Sequence, residues 1–135
     1  MGFWENDLVI TSANYTVAVL CTLVFLAIFE LVTKYNNWEE IKNGNLSVAM
    51  ATGGKIFGIA NVFHYSILNH DSLFTMVGWG LFGFFLLLTG YFIFEFLTPM
   101  FNVDKELGKD NRAVGFISMI ISIGLSFVIG ASIIA

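Results

Sequence analysis

Lys55 is the residue best placed to do chemistry, because it stands inside an apolar run where an ammonium has little company. If the run begins near Ser47, Lys55 lies about 12 Å along a helix axis. An ammonium at the bilayer midplane costs about 2.5–3.5 kcal/mol on insertion scales, so it must snorkel to an interface or meet an anion. Glu30 and Glu95 are the anions on offer, each within about a turn of the end of its own apolar run. A pair between Lys55 and Glu30 or Glu95 on neighbouring helices is the expected arrangement; snorkelling and a proton- or ion-handling role are the alternatives. Glu30 also precedes Lys34 by four residues, a spacing that suits an exposed helical pair. The matching position after Glu95 is Pro99, which ends or kinks its helix and leaves Glu95 to face another one.

The remaining polar residues point to less. His64, one turn beyond Asn61, and His70 are too few for zinc, which takes three or four protein ligands. The sequence has no phosphate-binding glycine loop, no nucleophile elbow and no metal-ligand spacing, so neither a cofactor nor enzymatic activity is expected. Cys21 is the only cysteine and forms no internal disulfide. A net charge of −4 without a basic stripe argues against nucleic acid as a partner.

The elements that must position Lys55 are helices in a bilayer. The chain is 57% hydrophobic and 12% charged, where soluble domains have about 25% charged residues. Four apolar stretches, about Tyr15–Val32, Ser47–Ile67, Leu73–Leu97 and Ala113–Ala135, are each long enough to cross about 30 Å of hydrocarbon. Helices are required there because lipid offers no partner to an open sheet edge. The fold class is therefore all-α, with short connecting loops. The amino-terminal segment carries Glu5 and Asp7 where a cleavable signal would be basic, so the first span is expected to act as its own insertion signal.

Packing signals sit on the even-numbered spans. Gly54, Gly58 and Asn61 share one helical face, and Gly54 to Gly58 is a GxxxG spacing that lets helix backbones approach closely in lipid. Ser118, Ser122, Ser126 and Gly130 step by four along the last span, so the two even spans are expected to meet. Trp4, Trp38, Trp79 and Tyr35 are expected at headgroup level.

The chain also repeats itself. Ile28-Phe29-Glu30-Leu31-Val32-Thr33 returns as Ile93-Phe94-Glu95-Phe96-Leu97-Thr98, an offset of 65 (28 to 93). Glu40-Ile41, Asn45 and Val48 return as Glu106-Leu107, Asn111 and Val114, an offset of 66 (40 to 106). The expected organisation is one membrane domain, 1–135, built from repeats at about 15–67 and 73–135. A unit of two spans returns the chain to its starting side, so the copies are parallel. Lys34 and Lys42 in the first loop and Lys105, Lys109 and Arg112 in the third put those loops in the cytoplasm and both termini outside.

The chain resembles the bacterial membrane proteins of the family called domain of unknown function 350. The resemblance rests on Glu30 and Thr33, then Glu95, Thr98 and Pro99, closing the odd spans. It rests also on the segments Glu39-Glu40-Ile41-Lys42-Asn43-Gly44-Asn45 and Lys105 to Ala113, and on the glycines Gly53, Gly54 and Gly58. It implies a four-span protein of the bacterial inner membrane and brings no established activity. The expected role is a scaffold or accessory subunit, for instance in membrane or envelope stress, bound to lipid, to its own copies and to a cytoplasmic or membrane protein. A small oligomeric channel or transporter for ions, protons or a solute is the alternative.

Overall fold

The computed structural model describes residues 2–32, 36–69, 72–97 and 102–134. Lys34, Tyr35, His70 and Pro99, and the threonines Thr33 and Thr98, lie outside the described residues, as do the side chains of Trp4 and Phe96. The described residues are helical almost throughout: a 3-10 turn at Phe3–Glu5, then α1 (Asp7–Val32), α2 (Asn37–Lys42), α3 (Leu46–Asn69), α4 (Leu73–Leu97), α5 (Val103–Gly108) and α6 (Arg112–Ile134). Four of them, α1, α3, α4 and α6, are long and apolar enough to span a membrane.

Two features depart from the expected plan. The first span begins at Asp7 and not near Tyr15, because Asn6 caps it by accepting the Leu8 amide at 2.9 Å. The segments expected as plain loops hold the short helices α2 and α5, capped by Asn36 (from the Glu39 amide, 3.1 Å) and Asn102 (from the Lys105 amide, 3.1 Å). Asn45 and Asn111 then cap the long helices that follow, accepting the amides of Val48 and Val114. Their carboxamide nitrogens reach back to Glu40 (3.2 Å) and Glu106 (2.9 Å). The turns before them pass through the left-handed region at Gly44 (φ 89°) and Asp110 (φ 60°). These bonds tie each short helix to the long one after it, and each in the first set recurs 66 residues later.

The centre of the molecule is the seam between α3 and α6, the most extensive contact between elements. Successive contacts climb both helices together, Ser47 with Gly115, Gly54 with Met119, Gly58 with Ser122, Asn61 with Ser126, Tyr65 with Gly130 and Asn69 with Ile133. The helices therefore run parallel. Backbone proximity needs glycine here: a Cβ on Gly54 would stand 2.7 Å from Met119 Cα, and one on Gly115 would stand 2.6 Å from Ser47 Cα. Helices in lipid gain no hydrophobic free energy from touching, so such close van der Waals approach holds the seam.

α4 lies across the back of this seam. Its glycines admit Phe63 and Val62 of α3 (at Gly80 and Gly83) and Leu125 of α6 (at Gly90). α1 packs on α3 and α4 and is the least buried of the four long helices.

Candidate functional site

Lys55 points from α3 into the space shared with α1 and α4, on the helix face away from the α6 seam. It is 2% exposed, and its Nζ lies 5.2 Å from the ring centre of Phe29 (α1) and 5.0 Å from that of Tyr91 (α4). Ring faces attract a cation through their quadrupole, and more strongly where water is excluded. The local sequence places it there by helical spacing, because Thr52, Lys55, Ile59 and Val62 are all buried on one side of α3.

The expected carboxylates are not its hydrogen-bond partners. Lys55 Nζ makes no hydrogen bond among the described residues, so no hydrogen bond ties it to Glu30 or Glu95. Burial dominates its electrostatics, and the carboxylate whose field reaches it most strongly is Asp104, followed by Glu95. Asp104 belongs to α5 and is itself 5% exposed, held by a hydrogen bond that the Tyr91 hydroxyl donates to its Oδ1. Tyr91 thus offers its ring to the ammonium and its hydroxyl to the carboxylate. Sequence reasoning missed Asp104 and Tyr91; the missed signal was the Asn102 cap, which starts the helix that turns Asp104 inward. Glu30 and Glu95 are half-buried.

Two hydroxyls are also buried without a hydrogen bond among the described residues, Thr52 Oγ1 and Ser118 Oγ. Thr52 shares the Lys55 side of α3, three residues earlier. In the resulting site an unmatched ammonium, an inward carboxylate and a tyrosine lie within one apolar enclosure, where charge is felt over longer distances than in water. Such a cluster can fix helix orientation or hold and move a proton. No group of three or more His, Cys, Asp or Glu suited to a metal ion occurs among the described residues.

The packing residues separate into two sets. Gly54, Gly58 and Asn61 face α6, with Asn61 Nδ2 donating to Ser126 Oγ at 3.0 Å and the Gly58 position 3.2 Å from the Ser122 carbonyl. Ser122, Ser126 and Gly130 lie on the seam; Gly130 gives room to the Tyr65 ring. Ser118 is buried. His64 is exposed and stacks edge-on with Tyr65. Trp38 and Trp79 are exposed near helix ends.

The end bearing α2 and α5 is held by bonds between the two halves. Asn45 Nδ2 donates to the carbonyls of Leu107 (2.8 Å) and Gly108 (3.3 Å). Asp110 Oδ1 accepts the Ser47 amide (2.9 Å) and hydroxyl (3.0 Å) at the start of α3. The Ser47 amide, foremost, holds the Asp110 carboxyl below its ordinary range.

A sequence profile of Domain of Unknown Function (DUF350) matches residues 3–133. The chain is 66% identical over 131 residues to the UPF0719 transmembrane protein YshE of Bacillus subtilis (strain 168), a match covering 97% of this chain and 98% of that protein. It is 28% identical over 75 residues to the UPF0719 inner membrane protein YjfL of Escherichia coli (strain K12), covering 56% of this chain and 57% of that one. No solved structure matches. With a profile match over nearly its whole length, a relative matched over nearly the whole of both chains and four helices fit to span a bilayer, the chain is a transmembrane protein belonging to the DUF350 family.

Proposed function

We propose that this chain is a non-enzymatic scaffold or accessory subunit of the bacterial plasma membrane, with its α2 and α5 end turned to cytoplasmic or membrane partners. The observation that carries this reading is the filled interior. Phe25 stacks on Phe84 (ring centres 4.3 Å apart) and on Phe63 (5.8 Å), with Phe29 and Tyr91 set edge-on beside them. Rings in this arrangement favour a fixed set of helices over a polar route between them. The charged end offers a docking surface, because Glu39, Lys42, Lys105, Lys109 and Arg112 are exposed on two similar short helices and their turns. The positive-inside rule places that end in the cytoplasm and both termini outside. The matching hydrogen bonds around Asn45 and Asn111 support a duplicated two-span unit.

One observation favours ion or proton handling in a small oligomeric channel or transporter. Lys55 Nζ is a buried ammonium with no hydrogen bond among the described residues, beside the Tyr91 and Asp104 pair. Purified protein in liposomes separates the two readings. The scaffold reading expects no protein-dependent proton or potassium flux, and a partner co-purified from native membranes that is lost when Lys42, Lys105 and Lys109 are changed to Glu. A flux abolished by Lys55→Met or Asp104→Asn overturns it.

A further inference from the structure

We propose that copies of this chain join head to tail in the membrane, α6 of one chain docking on α3 of the next through a second version of the internal seam. This rests on the two-copy reading of the chain given above and is independent of the scaffold role.

The internal seam joins unlike faces. On α3 it uses Gly54, Gly58, Asn61 and Tyr65; on α6 it uses Met119, Ser122, Ser126 and Gly130. Advancing the first set by the repeat offset of 66 gives Ile120, Gly124, Phe127 and Ala131, and all four are exposed. Moving the second set back by the same offset gives Gly53, Ile56, Ala60 and His64, and these are exposed as well. Each copy therefore has both a giving and a receiving face, and the chain has spent one of each. A heterologous contact of this kind leaves its unused faces at opposite ends of the pair, ready for another copy.

The unused faces are complementary in size, level by level. Inside the chain Gly54 meets Met119 and Tyr65 meets Gly130. Between chains the same positions would bring Ile120 to Gly53 and Ala131 to His64, so that a small residue again faces a larger one with the roles exchanged. Gly124 would meet Ile56 as Gly58 meets Ser122. Gly53 and Gly124 have no atom within 4 Å of where a Cβ would stand, which leaves space at both faces.

The first and third spans, α1 and α4, give an independent indication. α4 rests on its own partner α6 and on α3 of the other copy, and beneath it Val62 is 1% exposed. The equivalent valine, Val128, is 64% exposed, because α1 packs on α3 and α4 and makes at most marginal contact with α6 among the described residues. α1 has half the seat that α4 has, and α6 of a neighbouring chain supplies the other half. Asn45 Nδ2 likewise donates to two carbonyls of α5, whereas Nδ2 of its equivalent Asn111 donates only to Glu106 among the described residues. The matching carbonyls would be those of Ile41 and Lys42 in the next chain.

The geometry favours closure. At about 100° per residue, the two faces on α3, and likewise on α6, lie roughly 125° apart. A ring of four helices turns through about 90° at each member and one of six through about 120°, so three chains would close, with α1 and α4 outside.

Cross-linking in trans tests this, in a Cys21→Ser background. Chains carrying Ile120→Cys and differently tagged chains carrying Gly53→Cys are co-expressed and oxidised in native membranes. Linkage of the two tags in the mixture, with neither variant linking to itself, is expected. Self-linkage of either variant as strong as the mixed product, or no linkage at all, overturns the proposal. Gly124→Leu, whose Cβ meets nothing within 4 Å among the described residues, should convert the assembled species to single chains by native mass spectrometry in nanodiscs while helix content is kept; wild-type protein found only as single chains overturns the proposal as well. Asn61→Cys with Ser126→Cys in one chain reports the internal seam separately. Its linkage without the trans product overturns the ring alone, whereas failure of both overturns the two-copy seam.

Discussion

At the scale of single residues, Lys55 and Asp104 form a coupled pair without direct contact, the tyrosine between them touching both. Removing one charge leaves the other buried and less compensated, which costs more than removing both. Lys55→Met should therefore lower the midpoint of thermal unfolding in detergent, and adding Asp104→Asn should restore part of the loss. A double-mutant cycle is expected to give a coupling of about 1–2 kcal/mol. Asp110 makes a different prediction. Its carboxyl titrates below the ordinary range because the Ser47 amide donates to it, so its stabilisation is complete above about pH 4 and is lost as pH falls through the folded value. Asp110→Asn keeps a side chain suited to positive φ and removes only the charge. The variant should unfold at a lower temperature than wild type at pH 7, and the gap should shrink as the pH is taken below 4 (about the ordinary carboxylate value).

At the scale of elements, neighbouring glycines behave oppositely. Gly54→Ala drives a methyl group against the Met119 backbone and should cost about 2 kcal/mol or more, whereas Gly53→Ala meets nothing within 4 Å in its own chain and should change the unfolding of single chains in detergent by less than about 0.5 kcal/mol. Asn45→Ala removes the cap of α3, the bond to Glu40 and two bonds to α5, and should cost about 2 kcal/mol; Asn111→Ala removes the cap and the bond to Glu106 and should cost about half as much. The long spans were legible from apolar length alone, and the Gly54, Gly58 and Asn61 face from its helical spacing. The helices α2 and α5 were not, because six residues carry too little periodicity to stand out and asparagine signals a turn as readily as a cap. Asp104 was hidden for the same reason: only once α5 forms does its carboxyl face Tyr91. Depth along the spans pointed to Glu30 and Glu95 as partners for Lys55, and Glu95 is one of the two carboxylates whose field reaches it.

At the scale of the molecule, Glu5 and Asp7 stand at one end, while most of the charged groups among the described residues gather at the other, with α2, α5 and the turn through Asp110. If that end is cytoplasmic, cysteines introduced for Lys42 and Lys109 in a Cys21→Ser chain should react with a membrane-impermeant maleimide only after the inner leaflet is opened. A cysteine at Gly2 should react in intact cells. Labelling of Lys42→Cys from outside would reverse the assigned orientation.

The parallel seam between α3 and α6 also sets a timetable. The chain leaves the ribosome at about 5–20 residues per second, so the 66 residues between equivalent positions of the two helices take several seconds to appear. During that interval α3 is already made, yet the partner for its Gly54 face and for the Asn61 carboxamide is still unsynthesised. α6 comes after α3 in the chain, so the seam closes only once α6 has been made and inserted. Until then lipid, or the machinery that inserts the chain, must shelter a polar carboxamide and a bare glycine surface. A stop codon placed before Arg112 would make that waiting state permanent, and the truncated chain should be cleared by membrane proteolysis.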